Sequence, residues 1–186
     1  MTLSTAPGDR TRLVEPLDFY SKEHRSLLFD LAWSDRKHLL NDHDNDVLLI
    51  INEYHSQQQN GQLYAFLSLV KDKPVGATWL EVDRYGIGRV HSSLLPEHRN
   101  IWNGLYFLRQ LVAFSFDQLA LRKLDAEFAL YKKADKQSAA YERSLKRIGF
   151  TKRAILPESL MLNGKPKDTI LLDYLKRDYD VKKEKQ

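Results

Sequence analysis

The stretch IGRVHSSLLPEHRNIWNGLYFLRQLVAFSFDQLAL, residues 87–121, decides the fold. Its opening, Ile87 to Leu95, alternates in the manner of a strand, and Pro96 stops it because proline cannot donate to a ladder. From Asn100 the apolar residues Ile101, Leu105, Leu108, Leu111, Val112, Phe116 and Leu119 recur at helical spacing, which predicts a long helix to about Leu121. Lys123 to Leu130 then places Leu124, Ala126, Phe128 and Leu130 on one face and predicts another strand. A strand, a crossover helix and a strand make a parallel pair.

Working outward, Asn60-Gly61 opens a strand-rich section. Gln62 to Lys71 and Val75 to Asp83, joined by a turn at Asp72-Lys73-Pro74, precede the Ile87 strand as an antiparallel meander. Downstream, a helix over Lys136 to Arg147 ends at Gly149, and strands around Phe150 to Leu160 and Thr169 to Leu175 flank the Asn163-Gly164 turn. Upstream, a short strand near Leu13 to Phe19 is followed by a helix from Ser21. A second helix is expected to be capped by Ser34, and a third covers Val47 to Gln59. The pattern predicts an α/β fold: a mixed, mostly antiparallel sheet of six or seven strands with helices on both faces. At 186 residues one domain is expected over 12–180, with a loose arm at 1–11 and a charged tail at 181–186.

Composition narrows the chemistry. With 42% apolar residues, 3 Trp, 9 Tyr and 8 Phe the chain can bury a substantial core. It has 0 Cys, which excludes disulfides, thiolate catalysis and cysteine metal sites and suits a reducing compartment, so a cytoplasmic location is expected. No apolar run approaches membrane-spanning length, and MTLSTAPGDR lacks the order of a secretory signal. The formal charge is +4 and the pI about 9.1. Its excess gathers in Lys132, Lys133, Lys136, Arg143, Lys146, Arg147, Lys152 and Arg153 and in the tail residues Lys182, Lys183 and Lys185, against acidic Asp42, Asp44 and Asp46. Such runs are either a solvated helix face with a frayed tail or an electropositive rim for a phosphate-bearing ligand. The histidines form no His-Glu-x-x-His. His38 and His43 beside Asp42, Asp44 and Asp46 read as a capping loop, and neither a Gly-Lys-Ser/Thr phosphate loop nor a Gly-x-Ser-x-Gly elbow is present. Tyr131-Lys132-Lys133 is too little for nucleic acid.

Five pieces in order carry a resemblance. They are Lys73-Pro74-Val75-Gly76, Leu95-Pro96-Glu97-His98-Arg99, Leu121-Arg122-Lys123-Leu124-Asp125-Ala126, Ile148-Gly149-Phe150, and Asn163-Gly164-Lys165 with Asp168. Over roughly Leu63 to Asp178 the chain resembles the GNAT superfamily of acyl-CoA N-acyltransferases, particularly the branch acting on protein N-termini and related amines. The resemblance implies acetyl-CoA as co-substrate and an amine acceptor, small molecule or protein. It implies a pyrophosphate cradle of the pattern Arg/Gln-x-x-Gly-x-Gly/Ala, matched here by Arg99, Asn100, Ile101, Trp102, Asn103 and Gly104, with Leu94, Leu95 and His98 leading into it. Glycines there let backbone amides approach an anion at a helix N-terminus. Trp102 stands where the first glycine is expected, and could crowd the phosphates or turn into the core. Ser138 occupies the position of the family's pantetheine-holding Asn, Tyr141 the place of a common Ser, and Leu145 that of a common Tyr.

Acyl transfer to an amine needs a base, a donor facing the acyl oxygen and a proton for the departing sulfur. His91 is the one histidine on the Ile87 strand and the first candidate base, with Ser93 on the same face. Glu81 and Glu97 are alternatives, and Tyr141 is the candidate acid. The oxyanion donor would be a backbone N–H near Leu94. The alternative is a GNAT-shaped module with weak or lost catalysis that binds another protein, and the flanking strands of Asn163-Gly164 suggest pairing with a second copy.

Overall fold

The computed structural model describes residues 11–35, 47–99, 101–129, 136–162 and 165–185. The arm 1–10, Asp42 with its acidic and histidine neighbours, Asn100, Tyr131 to Lys133 and the Asn163-Gly164 turn lie outside the described residues, as do the side chains of Ile101 and Ser138. The strands are β1 (Thr11–Pro16), β2 (Leu63–Val70), β3 (Lys73–Val82), β4 (Ile87–Leu94), β5 (Lys123–Ala129), β6 (Thr151–Leu162) and β7 (Lys165–Leu175). They form one seven-stranded sheet in the order β1-β2-β3-β4-β5-β7-β6. Among the described strands only β4–β5 is parallel, as the crossover predicts.

The helices are α1 (Lys22–Asp35), α2 (Val47–Gln59), α3 (Ile101–Ala113), α4 (Lys136–Ile148) and α5 (Lys176–Lys183). Strand alternation sends Leu63, Ala65, Leu67 and Leu69 of β2 to one face, where they pack with Leu27 and Leu31 of α1, and with Tyr54 of α2. The opposite face, with Leu80, Val90, Leu94, Leu124, Ala126 and Leu172, is covered by Leu105, Leu108 and Leu111 of α3 and Leu145 and Ile148 of α4. The expected two-sided layering is therefore realised around two cores.

Four local readings change. Ser34 is not a cap: packing of Leu27 and Leu31 carries α1 through it to Asp35. The β2–β3 turn is Lys71-Asp72, both at positive φ (51° and 60°), because Val70 pairs with Lys73 and leaves two residues to close a tight hairpin. The end of the long helix widens into a π turn, Phe114–Gln118, where Leu119 N–H donates to Phe114 O. The tail is not frayed through Lys183. Tyr179 of α5 packs on Phe116, and Lys182 Nζ donates to Arg147 O at 3.1 Å and Ile148 O at 2.8 Å, placing a cation on the open carbonyls of α4.

Candidate active site

The site is built around a gap in the sheet. β4 and β5 pair only at Ile87–Lys123, Gly88–Leu124 and Arg89–Asp125. Beyond them the strands splay, and the ends of β4 and β5 flank an opening. Leu95 N–H donates to Val75 O on the β3 side. Because successive amides in a strand point to opposite sides, the N–H of Leu94 is aimed away from β3, toward the splay. Gly76 makes this possible: a Cβ there would stand 2.2 Å from Ser93 O and 2.9 Å from Leu94 Cα. The Lys73-Pro74-Val75-Gly76 piece thus presses β3 against the end of β4.

On the α1/α2 face His91 lies opposite Trp79 and stacks on it with centroids 5.2 Å apart and planes 7° from parallel, while Trp79 meets Tyr54 at 5.9 Å. His91 Nε2 is 3.4 Å from Glu81 Oε1, with both side chains about one-third exposed at 32% and 35%. The contact is an ion pair when the imidazole is protonated; otherwise the buried Nε2 has no hydrogen-bond partner among the described residues. The neighbouring His91 is the main influence holding the Glu81 carboxyl below its ordinary value against the opposing effect of burial, with Arg89 and Trp79 contributing. Sequence reading named His91 and Glu81 separately; Trp79, which fixes the imidazole plane, and their cross-strand contact were missed, because they follow from the β3–β4 register. Ser93 shares the face but is only 6% exposed beside Gly76. Glu97 is exposed on the Pro96–His98 turn, off the sheet face. Asp125, Glu127 and Asp173 lie on the same face as His91, opposite the core residues Leu124, Ala126 and Leu172.

Tyr141 stands on the other face. Its ring meets Phe128, near the end of β5, edge-on at 4.8 Å. Although 38% of the residue is exposed, the surrounding protein pushes its phenol up to about 12 by desolvation. The hydroxyl therefore keeps its proton at neutral pH. Leu145, one turn on, is wholly buried core. His91 and Tyr141 thus approach the splay from opposite faces of the sheet.

The loop after β4 is held by its own side chains. Arg99 Nε donates to Leu94 O at 2.7 Å, and Asn103 Nδ2 donates to His98 O at 3.1 Å. It delivers the chain to the N-terminus of α3, whose first amides lack helical partners. A Cβ at Gly104 would meet nothing within 4 Å, so this glycine answers no packing need and leaves open space beside those amides. Trp102 does not enter the core; it is 70% exposed. Of the basic stretch, Lys146 and Lys152 both face Glu142 at 2.7 Å and 3.7 Å, and Arg153 binds Asp173 at 2.7 Å, so part of that charge is neutralised locally.

A seven-stranded mixed sheet that splays after a short parallel pairing, with a helix N-terminus delivered beside the splay, is the fold of the GNAT acyl-CoA N-acyltransferases. Among solved structures the chain is similar to a spermidine N-acetyltransferase from Vibrio cholerae in complex with CoA and spermine, at 16% identity and TM-score 0.70 over 91% of this chain and 96% of that one. It is similar to a chimera of the Vibrio cholerae enzyme and hSSAT (14% identity, TM-score 0.74, 93% and 99% covered) and to a probable acetyltransferase (19%, 0.68, 90% and 93%). No family model and no curated protein matches the sequence. Within the described residues no helix is long and apolar enough to cross a membrane.

Proposed function

We propose that this chain is an acetyl-CoA-dependent N-acetyltransferase whose acceptor is a small cationic amine. The observation that carries the reading is the splay beyond Arg89 and Asp125, with His91 on one face, Tyr141 on the other and the Leu94 amide aimed between them. The open space at Gly104, beside donor amides at a helix N-terminus, suits a pyrophosphate. Acetyl-CoA supplies an acyl group activated as a thioester. With His91 Nε2 turned to Glu81, Nδ1 is the nitrogen left to take a proton from the amine. The amine nitrogen bonds to the acyl carbon as the C–S bond breaks, the Leu94 N–H faces the charge developing on oxygen, and the Tyr141 phenol gives the sulfur its proton. Glu127 on the His91 face, where Asp125 is already paired with Lys123 at 2.9 Å, favours a positively charged acceptor, in keeping with the polyamine bound by one structural neighbour.

Calorimetric titration with acetyl-CoA and CoA tests the donor half. The expected result is micromolar binding, about −8 kcal/mol, weakened in Gly104→Ala without loss of thermal stability. No heat, together with an unchanged melting temperature, would refute the reading. A spermidine-led amine panel scored by CoA release tests the acceptor half.

A further inference from the structure

The carboxylates beyond β4 on the His91 face are not held alike. Asp125 is paired with Lys123 at 2.9 Å and Asp173 with Arg153 at 2.7 Å. Among the described residues no cation is paired with Glu127; its partner is a hydroxyl, Thr169 Oγ1, which donates to Oε1 at 2.7 Å. Counting two residues past the last β4–β5 pair, Arg89–Asp125, brings His91 and Glu127 level across the opening, on the same face of the sheet. Thr169 lies on β7 opposite Ala129 and is 1% exposed. Its single proton is committed to the carboxylate, so it accepts from Ser159 Oγ, 2.6 Å away and nearer than the Leu156 carbonyl, which lies 3.1 Å from that hydroxyl. Ser159 reaches it because β6 advances from Leu156 to Leu160 while β7 moves only from Thr169 to Lys167, and the excess folds into a bulge. Within the bulge Glu158 takes a φ of +48°, and its N–H donates to Asp168 Oδ1 at 3.0 Å. A chain of hydroxyls thus runs from the edge strand β6 through β7 to the one carboxylate that faces His91 across the splay.

We infer that Thr169 is a positioning residue for acceptor recognition, holding Glu127 where its carboxylate takes up an ammonium of the acceptor other than the one that reacts. This inference rests on the acceptor reading above. A glutamate on an exposed strand face samples several rotamers, and a hydrogen bond from a buried hydroxyl, itself backed by Ser159, selects one. It occupies one lone pair of the carboxylate and leaves others for an incoming cation. The reacting nitrogen has to be neutral to attack, and a carboxylate beside it would hold its proton. Glu127 therefore suits a second charge, with the reacting amine left to His91. An acceptor with two ammonium groups can span the opening from Glu127 to His91, whereas a monoamine engages one side of it.

The test uses the full chain with acetyl-CoA and two acceptors of equal length, 1,4-diaminobutane and butylamine, read by CoA release alongside melting temperature. The wild type is expected to prefer the diamine in kcat/KM. Thr169→Val keeps the shape of the side chain and removes the hydroxyl; it should raise KM for the diamine about tenfold, leave kcat little changed and reduce the preference. Thr169→Ser should restore both, and Glu127→Gln should reduce the preference at least as far. Adding Thr169→Val to Glu127→Gln should bring no further loss, because the hydroxyl acts through the carboxylate. Ser159→Ala, on the exposed bulge, should raise the same KM to a smaller extent and decides the matter if Thr169→Val melts early. A wild-type diamine KM in Thr169→Val, a loss that Thr169→Ser does not restore, a fully additive double variant or a wild type without diamine preference would overturn the inference and leave the acceptor reading standing. No CoA release with either amine or with spermidine would overturn both.

Discussion

Replacing Gly76 by alanine inserts a methyl group where β3 touches the end of β4. Its Cβ would lie 2.2 Å from Ser93 O, 2.7 Å from Leu94 Cδ2 and 2.9 Å from Leu94 Cα. An ordinary carbon–oxygen contact is about 3.3 Å, so the strands must part by roughly 1 Å. Two of the three atoms are backbone, and a side-chain rotation cannot absorb the shift. Overpacking of this kind costs about 1–3 kcal/mol, which for a chain of this size lowers the melting temperature by roughly 2–12 °C. The same displacement moves the Leu94 amide, and a 1 Å misplacement of a catalytic group can cost about a hundredfold in rate. The experiment is a thermal melt of Gly76→Ala beside Gly104→Ala, followed by CoA release from acetyl-CoA. Gly104→Ala meets open space and gains helix propensity of about 1 kcal/mol, so its melt should match or exceed wild type. If Gly76→Ala melts with the wild type, the account of the β3–β4 contact is wrong.

Other substitutions separate the remaining claims. Gly149 has φ +139°, and an added Cβ would stand 2.3 Å from Tyr174 Cζ, whereas Gly61, at φ +69°, has nothing within 4 Å. Gly149→Ala should therefore cost more than Gly61→Ala, whose penalty is about 1–2 kcal/mol of backbone strain; equal denaturation midpoints would contradict the collision. Glu81 titrates below its ordinary 4.5 in the folded state, so its contribution is present above that value and is lost as pH falls through the lowered one. Urea melts of Glu81→Gln should show a deficit against wild type that narrows as pH falls through the lowered Glu81 value; a deficit independent of pH would dismiss the contact with His91. Tyr141→Phe should keep the fold and lower CoA release at saturating amine by about a hundredfold or more, and unchanged turnover would remove the phenol from the reaction.

Much of the fold was legible along the chain because its signals are local. The apolar spacing from Ile101 to Leu119, the alternation of β5, the stop at Pro96 and the glycine ending α4 each depend on neighbours a few residues away. These gave the element order, and the strand–helix–strand crossover gave the parallel pair. The stretch proposed for the anion cradle, Arg99 to Gly104, could be named from sequence because it is continuous along the chain. Where signals conflicted, packing won: Leu27 and Leu31 kept Ser34 inside α1, and Tyr179 with Lys182 docked a segment whose charges suggested solvent. The site itself needed three dimensions. Glu81 reaches His91 because β3–β4 register sets Trp79 opposite His91, and Tyr141 meets the same opening from the far side because α4 packs on the α3 face. Sequence determined which groups are available and on which strand or helix each rides. Only the tertiary structure decided which of them share an opening, because that depends on where β4 stops pairing with β5, a property of how two strands diverge rather than of any residue on either.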